Sequence, residues 1–176
     1  MQLADIDRYQ TAVELIHRQL RLSVVHQITG IQPKVLRSLY REMHGKGPPA
    51  GQLPSSEGIL SNRLAQAAAS LFAMLYWSRV KSGNGRTIDM RALLAAHANY
   101  LEFLETSLAE VPIERLDITQ AWVLARDMRT GLVEIRSCDQ CQVRFLYTPY
   151  GRLSSRCPIC TLKQREANES DVDREP

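Results

Sequence analysis

Cys138-Asp139-Gln140-Cys141 and, fifteen residues further on, Cys157-Pro158-Ile159-Cys160 hold all four cysteines of the chain. Two residues between paired cysteines let both sulfurs turn toward one ion, each about 2.3 Å from it. Two such knuckles make a tetrahedron with no open position. Thiolates are soft donors, so a zinc ion or an iron–sulfur cluster are the candidates. Ribbon-type spacing, with short strands leading to each knuckle and a short helix following, resembles treble-clef or zinc-ribbon sites, which favours Zn2+. Two disulfides or a redox dithiol are the alternatives. A redox motif belongs at a helix start in a thioredoxin-like sheet, and no such sheet is legible here. With no spare position and no neighbouring His or Glu arranged for hydrolysis, the site reads as one structural ion bound by Cys138, Cys141, Cys157 and Cys160.

Upstream of this lobe the chain reads as helix after helix. Val13, Ile16, Leu20, Val24 and Ile28 recur at helical spacing and predict one helix over Ala12–Ile28. Pro33 opens a second helix with Val35, Leu36, Leu39, Tyr40 and Met43, ending before Gly45. Gly45 to Pro54 is too rich in glycine and proline for regular structure and predicts a stiff connector. A long helix is expected over Ile59–Val80, with Leu60, Leu64, Ala68, Leu71 and Leu75 on one face. A turn follows at Ser82-Gly83-Asn84-Gly85. Helices over Met90–Leu108 and Ile118–Met128 come next, the first with Leu94, His97, Leu101, Leu104 and Leu108 on one stripe. Leu132–Ile135 and Phe145–Tyr147 read as strands. The expected organisation is mainly α: a helical body over 1–130, a zinc lobe over 131–165, and a polar, disordered tail over 166–176.

Residues 22–41 match the spacing of a helix–turn–helix. Gly30 opens the turn, and Leu36 and Leu39 anchor the second helix from inside. The outward positions are then Gln32, Lys34, Arg37, Ser38 and Arg41, types that bond base edges or phosphates. Arg18 and Arg21 would flank the DNA backbone. An ordinary helical hairpin with a solvated basic face is the alternative reading of the same residues.

The chain has 176 residues, 44% hydrophobic and 23% charged, which suits a folded protein with a real core rather than a disordered polymer. Net charge is only +3, but its distribution is lopsided. Arg8, Arg18, Arg21, Lys34, Arg37, Arg41 and Lys46 face only Glu14 and Glu42 at the front, whereas the end is acidic. Asp5, Asp7 and Arg8 interrupt any secretory signal, and no apolar run reaches a membrane span. The expected location is cytoplasmic, with no membrane partner. His17, His26, His44 and His97 are scattered, and no nucleophile motif or phosphate-binding loop appears, so an enzyme is not expected. Trp77 and Trp122 read as core or partner-interface residues.

Ala12-Val13-Glu14-Leu15-Ile16, Leu39-Tyr40-Arg41-Glu42, Gly47-Pro48-Pro49, Gly51 with Leu53-Pro54, Ala121-Trp122, Gly131-Leu132 and the four cysteines occur in a specific order and spacing. In these stretches the sequence resembles the C subunit of the bacterial flagellar master transcriptional activator, the FlhC family, from about Thr11 to Cys160. The resemblance implies a predominantly helical subunit whose zinc ligands are the four cysteines. It also implies a hetero-oligomer with the D subunit that binds double-stranded promoter DNA and activates flagellar genes, with RNA polymerase as a candidate further partner. Ala50 stands where the family often has a lysine, and Ser55-Ser56 replaces a more usual Phe-Ser. The acidic tail, basic in some relatives, argues against DNA contact there. The resulting expectation is a non-enzymatic DNA-binding activator subunit. Its rival is a zinc-stabilised protein-interaction module whose partner supplies the DNA contacts.

Overall fold

The computed structural model describes residues 3–80 and 87–172. By its internal contacts the chain divides into two compact units, Met1–Leu53 and Pro54–Pro176. The boundary expected at residue 130 therefore falls inside the second unit.

The first unit holds three helices, α1 (Leu3–His17), α2 (Leu22–Thr29) and α3 (Pro33–His44). The single helix expected over Ala12–Ile28 is thus two. Gln19 has a left-handed φ of 62°. Its N–H donates to the Ile16 carbonyl at 2.8 Å, and the Leu20 N–H donates to the Leu15 carbonyl at 3.0 Å. This pair of bonds ends α1 in a Schellman motif, with Leu15 and Leu20 both buried. The apolar rhythm continues across the break because Leu20, Val24 and Val25 enter the same core as Ala12, Leu15 and Ile16. Val13 points outward, 41% exposed. Leu36 and Tyr40, rather than Leu36 and Leu39, anchor α3, and Leu39 is half-buried. An i, i+4 pair fits one side of a helix as well as an i, i+3 pair, so the sequence alone does not choose between them.

Polar side chains lock the turns of this unit. Gly30 has a φ of 68°, and its N–H closes α2 on the His26 carbonyl at 2.7 Å. The Nδ1–H of His26 donates to the Ile31 carbonyl at 2.8 Å across the turn. Arg8 Nε donates to the Thr29 carbonyl at 2.9 Å, and His44 Nε2 donates to the Ile16 carbonyl at 2.9 Å. Arg21, expected to flank DNA, directs its guanidinium onto the connector. It donates to the carbonyls of Pro49 and Ala50, both at 2.8 Å, and of Gln52 at 3.4 Å.

In the second unit the expected helix over Ile59–Val80 is also two, α4 (Ser56–Ile59) and α5 (Arg63–Trp77). Ser55 caps the first by accepting from the Gly58 N–H, and Asn62 caps the second by accepting from the Ala65 N–H. The turn expected at Ser82–Gly85 lies outside the described residues. α6 (Met90–Ser107) starts at the cap Asp89, and α7 (Ile118–Thr130) starts at a capping box made by Asp117 and Gln120. The core between these helices is Phe72, Tyr76, Leu93, Tyr100, Trp122 and Leu124 with close-packed alanines. On α5 the leucine stripe Leu64, Leu71 and Leu75 is only half-buried, because Ala68, Ala69, Phe72 and Ala73 take the inner face. On α6, Leu94, His97 and Leu104 are buried as the stripe requires, while Leu101 and Leu108 are half-buried.

The sheet has two strands, β1 (Glu134–Ser137) and β2 (Arg144–Tyr147), antiparallel with Ile135 opposite Leu146. β1 starts two residues later than expected. The Leu132 and Val133 N–H groups both turn back to the Asp127 carbonyl, at 2.9 and 3.2 Å, where Gly131 ends α7 in a left-handed cap. α8 (Pro158–Val172) runs well into the segment expected to be a polar, disordered tail. Lys163, Gln164, Arg165, Glu166 and Ala167 are all strong helix formers, which outweighs their lack of apolar content. Residues 173–176 lie outside the described residues. No helix among the described residues is long and apolar enough to cross a membrane.

Candidate metal centre and basic helix face

The first cysteine pair sits in the hairpin between β1 and β2. The Cys138 N–H donates to the Val143 carbonyl at 3.0 Å, and the Gln142 N–H returns to the Cys138 carbonyl at 2.9 Å. Gln142 completes this turn at a φ of 60°. The second pair comes from a helix start: Cys157 precedes Pro158, the first residue of α8, and Cys160 lies in its first turn. Pro158 suits that position because its missing N–H would have had no helical partner. Thr161 holds the Cys157 carbonyl through both its N–H, at 3.1 Å, and its hydroxyl, at 2.8 Å.

These two turns bring all four Sγ atoms within 4.8 Å of one another. Cys138 to Cys160 and Cys141 to Cys157 are each 3.7 Å apart. Four sulfurs at about 2.3 Å from one central ion are about 3.8 Å from each other, so the set fits a single tetrahedral ion. A disulfide needs about 2.05 Å, and all four cysteines are free thiols. A multi-iron cluster would hold its thiolates apart by its own iron and sulfide atoms, and these lie too close for that. Phe145, Tyr147 and Ile159 pack around the sulfurs.

The electrostatics fit a cation. Backbone N–H groups of Cys141 and Gln140 aimed at Cys138 lower its thiol to about 7. Cys160 is pushed up to about 12, first by its hydrogen bond with Cys141 and then by burial. Burial pushes the Cys157 thiol up as well. One thiolate is stabilised here, and further thiolates crowding against it are not. A divalent ion reverses that balance.

A polar seam on α5, not foreseen from the sequence, ties this lobe down. Arg63, Gln66 and Ser70 recur at i, i+3 and i+7 and are all buried. Gln66 Nε2 donates to the Leu146 carbonyl at 2.8 Å, and Ser70 Oγ accepts from the Leu146 N–H at 2.9 Å. Both backbone groups of Leu146 face away from β1 and are satisfied by α5. Arg63 Nη1 donates to the carbonyls of Ser154 at 3.1 Å and Arg156 at 2.8 Å, and to Gln66 Oε1 at 2.8 Å, while Nη2 meets Ser154 Oγ. The available signal was three polar residues at helical spacing in an otherwise apolar, alanine-rich helix.

In the first unit, Lys34, Arg37, Ser38 and Arg41 are exposed along α3, away from Leu36 and Tyr40, and Gln32 is exposed at its N-cap. Among the described residues, Lys34, Arg37 and Arg41 make no ion pair, whereas Arg18 pairs with Glu14 at 3.7 Å. Of the two tryptophans, Trp122 is core and Trp77 is 53% exposed.

Comparison with known proteins identifies relatives along nearly the whole chain. A curated relative from Enterobacter cloacae, named flagellar transcriptional regulator FlhC, is 30% identical over 97% of this chain and 87% of its own length. Relatives of the same name from Erwinia tasmaniensis and Nitrosomonas eutropha are 31% and 30% identical. Each of those two matches spans 93% of this chain, and 90% and 83% of the respective relative. Such regulators are not an enzyme class. The family model described as flagellar transcriptional activator (FlhC) matches residues 2–172, and on this nearly full-length match the chain belongs to the FlhC family of flagellar transcriptional regulators.

Proposed function

We propose that this chain is a non-enzymatic, cytoplasmic DNA-binding subunit of a transcriptional activator. It acts in a hetero-oligomer with the D subunit at flagellar promoters, with RNA polymerase as a candidate further partner. The observation that supports the reading is α3, which follows α2 across the turn at Gly30, with Lys34, Arg37, Ser38 and Arg41 exposed along it and Gln32 exposed at its N-cap. Arginines at i and i+4 stand one turn apart, a spacing at which one can reach a base edge and the other a phosphate, or both can contact phosphates. The four-cysteine centre takes Zn2+ as a structural ion, through Cys138, Cys141, Cys157 and Cys160. A closed set of four sulfurs leaves no position for substrate, so the ion serves folding.

The rival reading, an interaction module whose partner alone touches DNA, draws support from exposed Trp77 beside half-buried Leu71 and Leu75. Promoter-fragment affinity of the intact hetero-oligomer across a salt series decides between them. Loss of a phosphate-contacting arginine lowers the salt slope by about one, whereas loss of a base-reading one costs roughly 1–3 kcal/mol and relaxes specificity at one position. If Arg37→Ala and Arg41→Ala both bind as wild type does, α3 is not a recognition helix and the rival stands.

A further inference from the structure

Arg63 is 9% exposed, yet every hydrogen-bond partner found for it is neutral: two carbonyls, an amide oxygen and a hydroxyl. Among the described residues no carboxylate pairs with it. Arg156 and Arg165 lie close enough to add positive charge, and the group that opposes them is the sulfur of Cys157. A buried cation needs a counter-charge, and among the described residues the charged side chains beside Arg63 are further cations. The two carbonyls that Arg63 holds belong to Arg156, directly before Cys157, and to Ser154 just upstream in the same loop. Four thiolates around one divalent ion carry a net charge of minus two, which a single guanidinium halves.

We propose that Arg63 is the charge partner of the four-cysteine centre, so that metal loading and the docking of the Ser154–Arg156 loop on α5 are one coupled equilibrium. Arg63 touches no metal; it positions the loop that carries Cys157 and offsets the charge the loaded site acquires. The planar fork suits this double task, because it can grip two carbonyls and a hydroxyl at once while presenting charge to the sulfurs. The inference rests on the metal reading above, and the experiment separates the two.

The full chain, purified with its partner, is titrated with Zn2+ against a competing chelator, and Co2+ loading is followed by its tetrahedral thiolate absorption. Arg63→Gln keeps hydrogen-bond donors and removes charge, whereas Arg63→Lys keeps charge and removes the fork. The expected result is a loss of Zn2+ affinity of roughly 10–100-fold for Arg63→Gln, the range typical of lost partners just outside a metal's own ligands, and a much smaller loss for Arg63→Lys. Ser154→Asp puts a carboxylate beside Arg63 from an exposed position and leaves the arginine in place. It should weaken Zn2+ binding while its neutral counterpart Ser154→Asn does not, and this pair remains informative if Arg63→Gln fails to fold. Equal losses for Gln and Lys, or equal affinities for Ser154→Asp and Ser154→Asn, would overturn the charge pairing. Wild-type protein that binds neither ion would overturn the metal reading itself.

Discussion

Replacing Gln66 by leucine tests the seam between α5 and the sheet. The two side chains are similar in size, and Gln66 is 1% exposed, so little volume changes. The change strips the Leu146 carbonyl of its donor at 2.8 Å and Arg63 of one acceptor at 2.8 Å. A buried carbonyl left without a partner costs about 1–3 kcal/mol, and a hydrogen bond to a charged donor contributes about 1.5–3 kcal/mol. Arg63 keeps its bonds to Ser154 and Arg156, so the second figure is an upper bound. Added apolar burial returns roughly 1 kcal/mol, on the scale of a buried methylene. The net expectation is a destabilisation of about 2–4 kcal/mol, a large share of the stability of a domain this size. Urea unfolding followed by the fluorescence of Trp122, which lies in the core of the same unit, measures it. Ser70→Ala should cost about 1–3 kcal/mol, because it strips the Leu146 N–H. The double variant should cost less than the sum, since both side chains serve one residue. A Gln66→Leu protein within about 0.5 kcal/mol of wild type would refute the reasoning.

Three further outcomes follow from the geometry. Cys157→Ser should abolish stoichiometric metal and lower the melting temperature; metal analysis alongside calorimetry checks this, and a retained equivalent of zinc counts against the four-sulfur site. Metal affinity should rise with pH, because thiols held above their ordinary value, as at Cys157 and Cys160, must release protons to bind; chelator competition giving equal affinity at pH 6 and pH 8 contradicts this. Gln19→Gly should stabilise the first unit by about 1 kcal/mol, since glycine meets the left-handed conformation without the penalty a side chain carries; an unchanged or lower urea midpoint argues otherwise.

The two cysteine pairs were legible because metal spacing is a local property: two intervening residues and a sulfur at each end need no knowledge of the rest of the fold. The α3 face was legible for a similar reason, since 3.6-residue periodicity separates Arg37 and Arg41 from Leu36 in any helix. The break at Gln19 was not, because left-handed caps announce themselves by glycine and this one uses glutamine. Continuous apolar spacing through Leu20 hid it further. The inner face of α5 was legible at Ala68 and misjudged at Leu64, Leu71 and Leu75, because leucines draw attention whereas close helix packing favours Ala69 and Ala73. The seam of Arg63, Gln66 and Ser70 was invisible because its partners are backbone groups some eighty to ninety residues away, and backbone leaves no mark in composition.

That seam has a consequence for the order in which the chain is made. α5 leaves the ribosome before β2, so the donor of Gln66 and the acceptor of Ser70 exist before the strand they serve. Synthesis proceeds at about 5–20 residues per second, so several seconds separate the two elements. During that interval the polar stripe of α5 is wetted by water, which satisfies it at little cost. When β2 arrives, the Leu146 N–H and carbonyl that face away from β1 exchange water for Ser70 and Gln66 of α5. At Leu146 the outer edge of the hairpin is thereby closed to strand addition by a second nascent chain.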